Sequence, residues 1–383
     1  MKLHFKLLVK LLSSIFLLLS ITACGPNPQD DIPLFKNYIE ENINKKSDDP
    51  YISSSVKPGD AMYEYLTKLQ QGAGDERLLE PLIKAGNTDA MVWMARTNSN
   101  DLEMRGEVLG LLARAMEAGD PFAALALSSG GEECWDFGNS SLSSQAAKSI
   151  GINVNTKIET CSKKNWAIAM EGFNELAQKG DLRSQYFLLS MERIQQPDDS
   201  VEAHEHYLKE VIRFAEGYYY QPLVDYVKTI LVKEKGSYQL KSESKELEST
   251  AISLLTIAAN HNYIPAIKKL IEYNYQNIEK TDQLFKHGVR LGSKGSITWQ
   301  MIIFADFDDK RIYTPSEVYY FSRLYWKITG DNTMLRFDYE KGSLTDDEIQ
   351  LLNIEVDKQY NKITPMVYID NFTLRTNWID RTN

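Results

Sequence analysis

Six short turns of one kind recur along the middle of this chain, and they restrict it to an array of helices. Ala85-Gly86-Asn87-Thr88-Asp89-Ala90 runs into Met91, Trp93 and Met94, and Ala118-Gly119-Asp120-Pro121-Phe122-Ala123-Ala124 runs into Leu125 and Leu127. Lys179-Gly180-Asp181-Leu182-Arg183-Ser184 is followed by Tyr186, Phe187, Leu188 and Leu189. Weaker copies sit at Gly217, before Pro222-Leu223-Val224, at Asn262, before Pro265-Ala266-Ile267, and at Gly295, before Trp299 and Met301. Upstream of each turn lies an apolar stripe at helical spacing, such as Phe173-Leu176-Ala177 or Leu254-Leu255-Ala258-Ala259. Gly or Asn in the left-handed position ends one helix. A small residue or Pro then opens the next. One such hairpin cannot cover its own apolar face, so neighbours must stack on it. The expected fold is all-α, with stacked helical hairpins over residues 61–310.

These turns resemble those of Sel1-like repeats, a subclass of the tetratricopeptide-type (TPR-like) helical solenoids. That family's turn reads Ala-x-x-Gly-[Asn/Asp]-x-x-Ala ahead of an apolar second helix. Ala177-Gln178-Lys179-Gly180-Asp181 keeps the spacing, with Ser184 in place of the last Ala, while the Gly86 and Gly119 units place Ala directly before Gly. The resemblance spans roughly residues 75–305. The chain departs from the family in its uneven spacing and in lacking the later Gly-rich segment of most units, which leaves the repeat number open. The resemblance implies an extended concave surface that holds another macromolecule.

The widest gap, between Gly119 and Gly180, holds an insertion at 129–165 containing Gly130-Gly131, Asn139-Ser140-Ser141 and the two late cysteines. It is expected to be a loop excursion. Cys134 and Cys161 either close it as a disulfide, stabilising by roughly 3–4 kcal/mol, or stay as buried thiols acting as small hydrophobes.

The N-terminus speaks of location. Lys2, Lys6 and Lys10 precede an apolar core from Leu11 to Ser20 and then Ile21-Thr22-Ala23-Cys24. Residues 1–23 read as a secretory signal, too short and wrongly flanked to be a spanning helix. Its end resembles the lipobox of bacterial lipoproteins. That resemblance implies cleavage before Cys24 and acyl chains, palmitate among them, on the new terminus. The other reading is an ordinary secretion signal with Cys24 incidental. In such lipoproteins Asp after the Cys retains the chain in the inner membrane. Gly25 at that position points instead to the periplasmic side of the outer membrane. Residues 24–60, with Gly25-Pro26-Asn27-Pro28 and Lys45-Lys46-Ser47-Asp48-Asp49-Pro50, read as a flexible tether with one short amphipathic helix around Leu34, Tyr38 and Ile39.

The whole chain carries a net charge of −10, and loss of the signal removes only basic residues. That balance argues against nucleic acid and against a surface lying on anionic lipid. It leaves the N-terminal lipid as the expected membrane contact and is compatible with a basic protein partner. Oxidising conditions outside the cytoplasm suit a Cys134–Cys161 pair.

Past residue 310 the pattern changes. Thr314-Pro315-Ser316-Glu317 and Thr345-Asp346-Asp347-Glu348 are capping boxes, so residues 311–383 are expected to form a helical C-terminal cap. The β-branched and aromatic end, Thr364-Pro365-Met366-Val367-Tyr368-Ile369 and Phe372-Thr373-Leu374, reads as a strand-like or irregular tail.

Catalytic motifs are missing. There is no Gly-x-Ser-x-Gly elbow, phosphate loop or dinucleotide fingerprint. Gly292-Ser293-Lys294-Gly295-Ser296 has the wrong length for a phosphate cradle. His204 and His206 point about 200° apart on a helix and cannot share one ion. With Glu202 they read as a solvated face, so neither metal nor cofactor is expected. Tyr218-Tyr219-Tyr220 falls at a turn where three large rings cannot all be buried. The alternative to a contact role is that one or two pack beneath the next hairpin. Trp135 and Phe137, beside Cys134, have the same standing as partner-binding candidates. No enzymatic activity is expected. Lipid-anchored Sel1-like proteins include immunity partners of type VI secretion phospholipase effectors, and the architecture resembles theirs. The expected function is binding and blocking such a toxin, with an envelope scaffold for other proteins as the other reading.

Overall fold

The computed structural model describes residues 26–138, 141–152, 157–198, 200–233, 240–275, 277–305, 314–335 and 344–381. The signal segment and Cys24 lie outside the described residues. The fold is an all-α array of stacked hairpins. Six hairpins follow one another: α3 (Glu80–Lys84) with α4 (Thr88–Thr97), α5 (Arg105–Glu117) with α6 (Pro121–Ala126), and α9 (Lys163–Gln178) with α10 (Leu182–Gln195). Then come α11 (Val201–Glu216) with α12 (Gln221–Ile230), α13 (Lys245–Asn260) with α14 (Ile264–Tyr273), and α15 (Ile278–Arg290) with α16 (Lys294–Ala305). Before them stand α1 (Ile32–Asn42) and α2 (Tyr63–Gln70), and between α6 and α9 lie α7 (Cys134–Phe137) and α8 (Leu142–Ser149). The array is closed by the paired helices α17 (Pro315–Thr329) and α18 (Asp346–Tyr360), each opened by its expected capping box.

All six turns use one hydrogen-bond pattern, in which the first helix ends in a left-handed residue and its next amide reaches back to a carbonyl one turn earlier. In the first, Gly86 N–H donates to Ile83 O and Asn87 N–H to Leu82 O; in the fifth, Asn262 N–H donates to Ala259 O and Tyr263 N–H to Ala258 O. Asn87, Asp120 and Asp181 then cap the following helix, accepting from Ala90, Phe122 and Ser184 amides. Gly86, Gly119, Gly180 and Asn262 stand at the left-handed position as expected.

Two turns shift register. At the fourth turn the left-handed residue is Tyr218 (φ 60°), and Gly217 is the ordinary residue before it. A Cβ on Gly217 would meet Leu182 Cδ1 at 2.6 Å, so this glycine serves close packing between hairpins. At the sixth turn the left-handed residue is Gly292, and Gly295 lies inside the first turn of α16. There a Cβ would meet Asp380 Oδ1 at 2.8 Å and Arg381 O at 3.2 Å.

Residues 26–60 are not a free tether. Phe35 and Tyr38 of α1 are buried against α11 to α14, and Asp31, 2% exposed, accepts hydrogen bonds from His204 Nε2 at 2.7 Å and the Tyr226 hydroxyl at 2.8 Å. Farther on, Asn262 Nδ2 donates to Ser47 O and Asp49 O. The apolar face of α1 and one buried carboxylate hold this segment to the body, in place of the flexibility that its helix-breaking flanks suggest. The insertion also is not a plain loop, since it contains α7 and α8. The Cys134 and Cys161 sulfurs sit at disulfide distance, 2.08 Å, beside a bridge between Ser128 and Ser162 that joins the ends of the insertion.

The C-terminal segment forms no strand. It runs through the array in extended form, tying together elements far apart in sequence. Thr364 N–H donates to Arg290 O and Met366 N–H to Leu291 O, while Gln70 Nε2 donates to Met366 O. Met366 belongs to the core of α1 and α11–α16, whereas Val367, Ile369 and Trp378 belong to that of α2–α6, so this segment stitches the two cores together.

Two expectations follow. Gly119 has open space around a Cβ, so Gly119→Ala should cost only the left-handed backbone penalty of about 1 kcal/mol. Gly295→Ala displaces the Asp380 contact and should cost about 2 kcal/mol; urea denaturation of the two variants gives the order. His287, which donates from Nε2 to Asn262 Oδ1, has its pKa lowered to about 4 by burial and then by Arg290 and Lys46. Its folded pKa lies below its unfolded one, so the stability it supports is present above about pH 6.5 and is lost as pH falls toward 4. His287→Gln should flatten the drop in urea midpoint over that window.

Candidate functional site

A cleft of about 530 Å³ lies between α10, α12, α14 and α16 on one side and the C-terminal segment on the other. The helices present Arg183, Tyr186, Phe187, Asp225, Lys268, Lys269, Glu272 and Trp299, and the tail presents Tyr368, Asp370, Phe372 and Arg381. Each of these helices follows a hairpin turn, so the common turn geometry aims their side chains at a shared space.

The tail wall is set by three anchors. Asp380, 1% exposed, sits in the turn before α16: Oδ2 accepts from Ser293 Oγ at 2.6 Å and Gly295 N–H at 3.0 Å, and Oδ1 from Lys268 Nζ at 2.7 Å. The Gly292–Ser296 stretch therefore does receive an anion, but the anion is the protein's own carboxylate. Trp378 packs on Trp93 with ring centroids 5.0 Å apart. The Arg96 guanidinium lies over both rings and donates to Glu133, Asn371 O and Thr373 O. Phe372 enters a cluster with Phe122, Phe173 and Phe187, stacking on Phe187 at 4.6 Å.

Within the cleft most polar groups are engaged with one another. Asp225 accepts from the Tyr186 hydroxyl at 3.0 Å, from Gln221 Nε2 at 2.9 Å and from Lys228 Nζ at 2.9 Å. Lys269 pairs with Glu272 at 2.7 Å, and Arg183 with Asp181 at 3.4 Å. Asp370 Oδ1 accepts from the Phe372 and Thr373 amides and the Thr373 hydroxyl, all at 3.0 Å. Burial pushes the Asp370 carboxyl above its usual range, with Arg183 acting the other way. Burial likewise raises Tyr186 and Tyr219, so both phenols stay neutral and able to donate.

The candidate contact residues separate. Tyr219 lines the cleft. Tyr218 is 43% exposed and packs its ring on His261. Tyr220 is not a surface group. It is 1% exposed, with its hydroxyl 2.9 Å from His261 Nδ1, because the left-handed Tyr218 turns the following residues inward. Phe137 is buried too, under Arg105, whose guanidinium donates to the Asp136 and Phe137 carbonyls. Trp135 stands 83% exposed, and Leu142 at the start of α8 and Ile150 just past its end are exposed as well. His204 binds Asp31 rather than facing solvent alone. Among the described residues no three His, Cys, Asp or Glu side chains gather as metal ligands, and no helix is long and apolar enough to cross a membrane.

No family model matches the chain, and neither a curated protein nor a solved structure does.

The sequence reading missed Tyr368, Asp370, Phe372 and Asp380 as site residues. Their segment has no periodicity, and the only hint was the clustering of aromatic and β-branched residues near a chain end. Asp380→Asn keeps the size of the side chain but leaves Lys268 facing an amide. The loss of a buried paired charge should lower stability by about 3 kcal/mol, read as a shift in the urea midpoint.

Proposed function

We propose that this chain is a lipid-anchored, periplasm-facing protein of the outer membrane that binds another protein, and that it serves as an immunity protein blocking a membrane-attacking, phospholipase-type effector. The observation that carries the binding reading is the cleft between the second helices and the tail. It is open enough for a protruding segment of a partner, and its walls are fixed by buried anchors, so little ordering remains to oppose association. Its polar groups are mostly paired with one another, which suits recognition better than turnover. The lipobox at Cys24 and the turn resemblance to Sel1-like immunity proteins support the narrower reading. An anchored inhibitor would stand beside the membrane its target must reach.

The envelope-scaffold reading is favoured by one feature. Trp135, Leu142 and Ile150 are further exposed apolar side chains on the insertion, outside the cleft lining. A scaffold needs two contact surfaces, whereas an inhibitor needs one.

The test is co-expression with each secreted lipase-type toxin encoded beside this gene. The immunity reading expects rescue of growth, a one-to-one complex with a Kd on the order of 10 nM, and loss of lipase activity in vitro. Rescue from none of them removes it.

A further inference from the structure

The cleft is not uniform in what it leaves free. Four of its basic side chains are already matched, Lys228 to Asp225, Lys268 to Asp380, Lys269 to Glu272 and Arg183 to Asp181, while Arg381 on the tail wall has no ion pair among the described residues. Around Asp370 the situation reverses. Asp370 commits one carboxylate oxygen to its own turn, and among the described residues nothing hydrogen-bonds the other. The Tyr219 hydroxyl also meets no hydrogen-bond partner among the described residues, and the half-buried residue lines the cleft. Tyr186 stands beside Tyr219 with centroids 6.1 Å apart and planes at 70°, so the two rings form a corner.

An uncommitted carboxylate oxygen, a free phenol and two aromatic walls are complementary to an organic cation. The ring faces attract positive charge, and the carboxylate and phenol oxygens accept its N–H groups. A net charge of −10 on the chain draws cations toward it from a distance.

We propose that this cleft receives a lysine or arginine side chain presented by the partner protein, seated between Asp370, Tyr219 and Tyr186. This rests on the protein-binding reading but is testable without knowing the partner. Asp370 supplies the charge, and Tyr219 selects a group with N–H donors. Arg183 is bonded to Asp181 and to Ser55 O rather than to Asp370.

The experiment is calorimetric titration of the full chain with capped Gly-Lys-Gly, Gly-Arg-Gly, Gly-Gln-Gly and Gly-Glu-Gly peptides, and with a partner once one is found. The cationic peptides should bind at least about tenfold more tightly than the glutamine peptide, and Asp370→Asn and Tyr219→Phe should each weaken them by about tenfold. Asp370→Asn retains the acceptor for the Phe372 and Thr373 amides, and Tyr219→Phe removes one hydroxyl. Unchanged thermal midpoints therefore separate lost binding from lost folding. Equal affinity for the glutamine peptide, tighter binding of the glutamate peptide, or cationic binding unaffected in both variants overturns the pocket. Partner capture that survives Asp370→Asn at full strength also overturns it, while leaving the protein-binding reading in place.

Discussion

The fold depends on an intramolecular docking event, the insertion of segment 363–381 through the helical array. In a stacked array each hairpin contacts only its neighbours, so an uncovered face runs along its length. Here that face is covered by the chain's own end. Met366, Val367, Ile369 and Trp378 are each 4% exposed or less, and each contributes about 1.5–3 kcal/mol by burial. Apolar burial alone does not fix position, because it has no direction. Register comes from Asp380 in the turn before α16 and from Arg96, whose donors are divided between Glu133 and two tail carbonyls. Gln70 completes the link, donating to Met366 O and accepting from Tyr368 N–H. The first and last parts of the array are thereby held against one another.

The N-terminal segment does comparable work on the outside. Asp31 is buried between His204 and Tyr226, and Ser47 and Asp49 are gripped by the Asn262 side chain. This bears on the lipid-anchored reading. If Cys24 carries acyl chains, only the few residues before Pro28 separate the bilayer from an immobile body, a reach of at most roughly 15 Å. A long flexible leash would let the body sample the periplasm. A short one holds it near the headgroups and restricts which faces a partner can approach.

What was legible in the sequence was local. The six hairpins follow from glycine or asparagine after an apolar stripe, because that turn needs a left-handed residue and little else. Both misplaced turns fail for one reason: a glycine can be required by space as well as by φ. Gly217 is required by Leu182, and Gly295 by Asp380, yet each looks like a turn glycine in the sequence. Tyr218 in the left-handed region has no sequence signal, since tyrosine there is disfavoured and is held by its surroundings. The cleft was illegible for a different reason. Half of it is a segment without periodicity, whose conformation is dictated by residues some three hundred positions away, such as Gln70 and Ser55.

Because the tail is one wall of the cleft, binding and folding draw on the same contacts. Tyr368 links the two directly: its hydroxyl donates to Asp380 Oδ1 while its ring faces the cleft. A ligand seated against Asp370 stabilises the docked tail in proportion to its affinity for that form. Conversely, any change that loosens Asp380 or Trp378 lowers the population able to bind, and so weakens apparent affinity without touching the ligand. Side chains far from the cleft can therefore alter recognition, and those that do so should be the ones that hold the tail in place.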